Sequence, residues 1–186
     1  MGWIVLVVVI VLLAVFLVGM YNGLVRRRRQ CENAWAQIDV QLKRRFDLIP
    51  NLINTVKGYA KHERELLENV TKARARVGEA REGGDVGSRV QAETALGGAL
   101  RGLMVQVEAY PDLKANQNFL ALQEELTSTE NKIGFARQHY NDVATNYNAA
   151  TETFPRNIVA GMFGFKERTL WEITDAAERE VPKVEF

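Results

Sequence analysis

The stretch WIVLVVVIVLLAVFLVGM, from Trp3 to Met20, carries no charged and no strongly polar side chain. Water is a poor solvent for such surface and hydrocarbon a good one. At about 1.5 Å of rise per residue, these roughly 18 residues make a helix of about 27 Å, close to the roughly 30 Å of a bilayer core. Trp3 and Tyr21 frame the run, where amphipathic rings favour the membrane–water boundary. Everything after it is expected to be tethered. A secretory signal would place positive charge before the apolar run and a small-residue cleavage site after it. Here Met1-Gly2 precedes and Tyr21-Asn22-Gly23 follows, so the run is expected to stay attached. Leu6 occupies the position at which an N-myristoylation signal wants Ser or Thr.

Four consecutive arginines, Arg26, Arg27, Arg28 and Arg29, lie just beyond the run, and no Lys or Arg precedes it. That asymmetry retains the basic side in the cytoplasm. The expected arrangement is a single pass with a residue or two outside and the body in the cytoplasm. The arginines read as a topology signal resting on generic acidic lipid, each base gaining about 1 kcal/mol from the surface, in preference to a lipid-specific site. Gly19 and Gly23 have the small-x-x-x-small spacing of membrane helix dimers, here at the membrane edge.

With the anchor and its basic collar removed from 186 residues, roughly 155 remain, enough for one domain with a real core. Over the whole chain 24 Lys+Arg and 23 Asp+Glu give a net charge of +1, and outside the arginine cluster both signs are interspersed. A nucleic-acid binder would show a basic face, so nucleic acid is not an expected partner. The single cysteine, Cys31, excludes an internal disulfide framework and leaves a thiolate metal site without companions. His62 and His139 have no further ligands at metal spacing, and Ser88 and Ser128 have no base beside them in the sequence. No Gly-rich phosphate loop follows a strand. No catalytic residue, cofactor or metal is therefore assigned, and the chain is not read as an enzyme.

From Trp35 a heptad runs through Leu42, Ile49 and Val56, then Val70 and Val77, with Ile38, Phe46, Leu52 and Ile53 beside it. This is the pattern of amphipathic helix. It runs through Pro50, so one kinked helix over 24 to 80 and two helices joined by a reversal both satisfy it. Lys43, Arg44 and Arg45 suit a helix C-terminus, and Asp47 can cap a new helix whose first turn tolerates proline. A reversal near Pro50 is accordingly expected. The loop at 82 to 87 separates the second and third helices, with Ser88 as the cap of the third. Gly97, Gly98 and Gly102 lie inside that third helix among Ala92, Ala95 and Ala99, and close packing within the bundle is the expected reason. Tyr110-Pro111-Asp112 ends it and starts a fourth helix, capped by Asp112. Leu122, Leu126, Thr129, Ile133, Ala136, Tyr140, Val143, Tyr147 and Ala150 then alternate at four and three, a helix buried along one coiled-coil-like seam.

The expected architecture is all-α: a transmembrane anchor over 1–23, an antiparallel four-helix bundle of long helices over 24–153, and a short helix with an extended tail over 154–186. A polar stripe of Glu130, Arg137, Asn141 and Asn148 lies on the fourth helix and is the candidate interaction surface. Buried, these groups would fix register between helices; exposed, they would meet another subunit. With a reversal at Pro50, the end of the fourth helix returns to the bilayer. Phe163 and Phe165, with Phe154 and Met162, would then sit near lipid beside Arg156 and Lys166, an interfacial mixture. A continuous helix would send them to the far tip.

In these pieces the chain resembles the LemA family: Ala34-Trp35-Ala36-Gln37-Ile38-Asp39-Val40-Gln41-Leu42-Lys43-Arg44-Arg45, Asp47-Leu48-Ile49-Pro50-Asn51-Leu52, Tyr110-Pro111-Asp112-Leu113-Lys114-Ala115, Glu130-Asn131-Lys132-Ile133, Tyr140-Asn141 and Phe163-Gly164-Phe165. The resemblance implies a bacterial inner-membrane protein with one N-terminal anchor and a four-helix domain, and it carries no catalytic residue across. Some relatives are associated with building or shaping internal membranes. The expected function is thus a membrane-anchored, self-associating scaffold whose partners are membrane lipids and copies of itself. The alternative is an adaptor or regulator of a membrane enzyme such as a protease or transporter.

Overall fold

Pro50 does not turn the chain. The computed structural model describes residues 1–59, 64–83 and 85–171. Among these residues it contains α1 (Gly2–Tyr59), α2 (Arg64–Gly83), α3 (Val86–Val107), α4 (Pro111–Lys114), α5 (Gln117–Glu152) and α6 (Arg156–Phe163), and no strand. The reversal expected near Pro50 is corrected, because α1 runs straight through that residue. Proline has no N–H, so the carbonyl four residues back, on Phe46, loses its helical partner. Arg74 of α2 replaces it: its Nε donates to the Phe46 carbonyl at 3.2 Å, and its guanidinium carbon lies 3.8 Å from the centre of the Phe46 ring. A charged donor makes the stronger kind of hydrogen bond, and the helix continues.

The heptad from Trp35 to Val56 therefore belongs to one helix, whereas Val70 and Val77 fall on α2. Leu24, Cys31, Ala34, Ile38, Leu42, Arg45, Ile49, Leu52 and Val56 are buried at alternating three, four and seven spacing along α1. By contrast every residue from Met1 to Gly19 is exposed, and burial begins at Met20. The apolar run is thus bare of protein, as a lipid-facing helix would be, and it is the one helix long and apolar enough to cross a membrane among the described residues.

The chain forms two compact units, one of Met1–Ile38 with Phe135–Leu170 and a second built on Asp39–Gly134. In the second, Ile49, Leu52 and Val56 of α1, Val70 and Val77 of α2, Leu96 and Leu103 of α3, Leu113 of α4 and Phe119 of α5 make a single apolar core. Each such side chain fully withdrawn from water contributes roughly 1.5–3 kcal/mol. Cross-contacts set the directions. Asp39 pairs with Arg89 and Arg45 with Glu93, so α3 runs with α1. Arg45 also meets Glu130, and Tyr59 accepts from Asn116, so α5 runs against α1.

Two caps differ from expectation. Asp85, rather than Ser88, caps α3, its Oδ1 accepting the Ser88 N–H at 2.7 Å; that bond holds its carboxyl below the usual carboxylate range. Asn116, rather than Asp112, caps α5, its Oδ1 accepting the Phe119 N–H at 3.0 Å, because α4 is a separate single turn. The close packing expected of the α3 glycines holds only for Gly97, where an added Cβ would lie 3.6 Å from Arg45 Nη1. Gly98 and Gly102 are exposed, and a Cβ on either would meet nothing within 4 Å. His62 and the tail residues Val181, Pro182, Val184 and Phe186 lie outside the described residues.

Candidate functional site

In the first unit, α5 lies antiparallel to the start of α1. The rings of Trp35 and Tyr140 meet edge to face at 5.1 Å, and the Cys31 thiol donates to the Val143 carbonyl at 3.5 Å. Burial pushes that thiol up, with Arg168 opposing. After α6 the helix ends at Gly164, whose φ of 68° is left-handed and favours a residue without Cβ. The Phe165 N–H reaches back to the Ala160 carbonyl at 2.9 Å, and the chain then runs as an extended strap along α5.

Three side chains of α5 hold that strap. The Tyr147 hydroxyl donates to the Lys166 carbonyl at 3.0 Å and the Tyr140 hydroxyl to the Thr169 carbonyl at 2.7 Å. Asn148 grips Arg168 from both sides, donating to its carbonyl at 2.9 Å and accepting its N–H at 2.8 Å. Arg168 in turn donates to Glu32 of α1 at 3.1 Å. Both phenols are pushed up by burial, which keeps them neutral donors.

The membrane-surface residues read from the sequence come together here. Tyr21 meets the Phe163 ring at 4.8 Å and the Phe165 ring at 5.6 Å, and Arg28 lies 5.2 Å from the centre of the Phe165 ring. Phe163 is 60% exposed, whereas Phe165 is only 9% exposed, so Phe165 is a packing residue beneath Arg28 and not a surface one. Arg29 bonds Glu32 at 2.8 Å; Arg26 is exposed and Arg27 half-buried. A continuous α1 therefore does not send Phe163 to the far tip. The single-helix alternative misjudged this because it ended the first helix at 80, not at Tyr59.

The polar stripe is divided. Glu130 belongs to the second unit and accepts from Arg45 at 2.7 Å. Arg137, Asn141 and Asn148 belong to the first unit and are half-buried, Asn148 holding the strap.

Sequence reasoning missed the most buried charges. Arg45 and Glu93 are each 3% exposed. Arg45 Nη2 donates to Glu93 Oε2 at 2.7 Å and to the Glu93 carbonyl at 3.1 Å. Burial raises the Glu93 carboxyl above its ordinary value, with Arg45 and then Arg81 and Arg89 opposing. Arg45 Nε and Glu93 Oε1 have no hydrogen-bond partner among the described residues. The signal was present in the spacing: Leu42-Arg45-Ile49 and Val90-Glu93-Leu96 place both charges in the apolar phase. Thr129, on the seam of α5, is buried as well.

Among the described residues no group of three or more His, Cys, Asp or Glu could hold a metal, and His139 is exposed. An open polar depression is lined by Tyr59, Asp112, Asn116 and Gln117, with no nucleophile and base facing one another in it. The arrangement of these side chains holds helices and a strap in register. It defines a class: an all-helical protein with a membrane-length apolar helix at its start.

The family follows from comparison. The LemA family profile matches residues 34–186, and the chain belongs to the LemA family. Protein LemA of Metamycoplasma hominis is 31% identical over 143 residues, covering 77% of this chain and 64% of that protein. Magnetosome protein MamQ 2 of Paramagnetospirillum magneticum is 24% identical over 184 residues, covering 87% and 68%. Magnetosome protein MamQ of Magnetospirillum gryphiswaldense is 25% identical over 169 residues, covering 78% and 62%. The chain thus spans slightly less than two thirds of the length of the LemA relative.

Proposed function

We propose that this protein is a membrane-anchored helical scaffold that self-associates on the cytoplasmic face of a bacterial inner membrane and has no catalytic role. The observation that carries self-association is the outward side of α3. Ala95, Gly98, Gly102 and Val105 are exposed along it, Val105 by 72%, with open space over both glycines. Small residues there let a second helix approach backbone to backbone, which a bulky face would prevent. In this reading α1, α2, α3 and α5 form an antiparallel four-helix bundle in the second unit, presenting α3 to a neighbouring copy. The arginines from Arg26 to Arg29 support the cytoplasmic orientation, and the resemblance to magnetosome proteins supports assembly at an internal membrane surface.

Native mass measurement of the full chain in mild detergent tests this. The expected result is a homo-oligomer that Gly98→Leu converts to smaller species while the helical signal is unchanged. A monomer that carries a stoichiometric membrane enzyme would overturn the scaffold and establish the adaptor reading. An oligomer indifferent to Gly98→Leu would move the contact off α3.

A further inference from the structure

The eight residues of α6 are more apolar than their packing in the first unit requires. Val159 and Ala160 are buried and complete the helix's inward side. Ile158 and Met162, one turn apart, are nevertheless 53% and 73% exposed, Phe163 is 60% exposed, and Phe154 just before the helix is 75% exposed. On a water-facing helix this exposed arc would be polar. The position of the helix gives the reason. Phe163 packs on Tyr21, the residue immediately after the apolar run. Burial along α1 starts at Met20, so α6 lies at the level where α1 ceases to be bare.

Its charged neighbours have the matching sign. Arg156 opens α6 and Lys166 follows it, both exposed, as are Arg26 and Arg29 on α1. A short helix with an apolar arc, flanked by bases and continuous with a membrane-length helix, has the composition of an element lying in the headgroup layer.

We infer that α6 is a second membrane contact, an interfacial foot whose Phe154, Ile158, Met162 and Phe163 enter the acyl boundary of the leaflet from which α1 emerges. The occupant of this face is the lipid bilayer, because the face is continuous with the span through the Tyr21–Phe163 contact. The foot makes α1 and α5 two legs on one membrane: α5 ends at Glu152, only a few residues before α6, so the helix pair is braced against tilting about the α1 span. The inference rests on the membrane-anchored reading.

The test uses the full chain with Cys31→Ala, reconstituted in phosphatidylethanolamine–phosphatidylglycerol vesicles. A polarity-sensitive fluorophore is placed singly at Leu12→Cys, Ile158→Cys, Met162→Cys or Glu108→Cys, and spin-labelled lipid serves as quencher. Quenching at 12, 158 and 162, with emission at 108 unchanged, is the expected result. Quenching at 12 with unquenched emission at both 158 and 162 would overturn the foot and leave the anchor intact. No quenching at 12 would overturn the anchor, and the foot with it. If emission at 162 instead rises on dilution with unlabelled protein and ignores the lipid quencher, a second copy covers the face and the lipid contact is refuted. Two labelled positions on α6 guard against one substitution disturbing the helix, and circular dichroism of each variant verifies the fold.

Discussion

Replacing Arg45 with methionine removes the hydrogen-bonded cation from a buried carboxylate. Glu93 is 3% exposed, and its Oε2 takes a 2.7 Å bond from Arg45. Its other oxygen has no hydrogen-bond partner among the described residues, so in Arg45→Met the side chain keeps its charge only with the help of the weaker charge effects of Arg81 and Arg89. Breaking a buried pair on one side costs about 3–5 kcal/mol. For a body of about 150 residues each kcal/mol moves the melting midpoint by roughly 2–4 °C, so the midpoint should fall by roughly 6–20 °C. The double variant Arg45→Met, Glu93→Leu leaves no orphaned charge on Glu93's side, and it should recover most of that loss. Glu130→Gln, which removes a half-exposed partner, should cost no more than about 1 kcal/mol. The penalty also has a sign in pH. Burial holds the Glu93 carboxyl above its ordinary 4.5, so protonation favours the folded state. The stability it contributes is complete below about pH 4.5 and declines as pH rises through the raised value. Arg45→Met removes the largest opposing charge and raises that value further, so its penalty should shrink as pH falls. Thermal melts followed by circular dichroism in detergent measure all of this. A single variant costing under about 1 kcal/mol, or a double variant as damaged as the single one, would refute the reasoning from an orphaned charge.

Gly98→Ala should stabilise the isolated protomer by up to about 1 kcal/mol, because its Cβ meets nothing; a loss in a dilute thermal melt would mean that the site is covered. Arg74→Leu should cost about 1 kcal/mol through the Phe46 carbonyl, and less in a Pro50→Ala background where that carbonyl regains a helical donor. A double-mutant cycle with no coupling would remove Arg74 as the reason α1 survives Pro50. Cys31 is 1% exposed, so an impermeant maleimide should leave it unlabelled both in intact cells and after lysis, and label it only on unfolding. With Cys31→Ala in place, Glu108→Cys should be labelled only after lysis; equal labelling before lysis would reverse the orientation. Gly164→Ala should cost about 1–2 kcal/mol, the expense of a left-handed residue with a Cβ, seen as a lower urea midpoint.

The apolar span, the helical class and the short helix after Phe154-Pro155 were all legible in the chain, because each depends on local composition or on a period that one helix carries by itself. The seam of α5 was legible for the same reason: Leu126, Ile133, Tyr140 and Tyr147 are buried as their spacing dictates. What could not be read was every choice that depends on a partner far along the chain. Whether Pro50 ends a helix was decided by Arg74, a residue 24 positions later that restores the lost hydrogen bond. Whether Lys43, Arg44 and Arg45 terminate a helix was decided by Glu93 and Glu130, which let Arg45 enter the core. The glycines of α3 look alike in sequence, yet only Gly97 has a neighbour across from it. Local propensity and periodicity are properties of a segment, and they are written in it; the satisfaction of a buried carbonyl or charge belongs to two segments at once, and only tertiary structure brings the second one there.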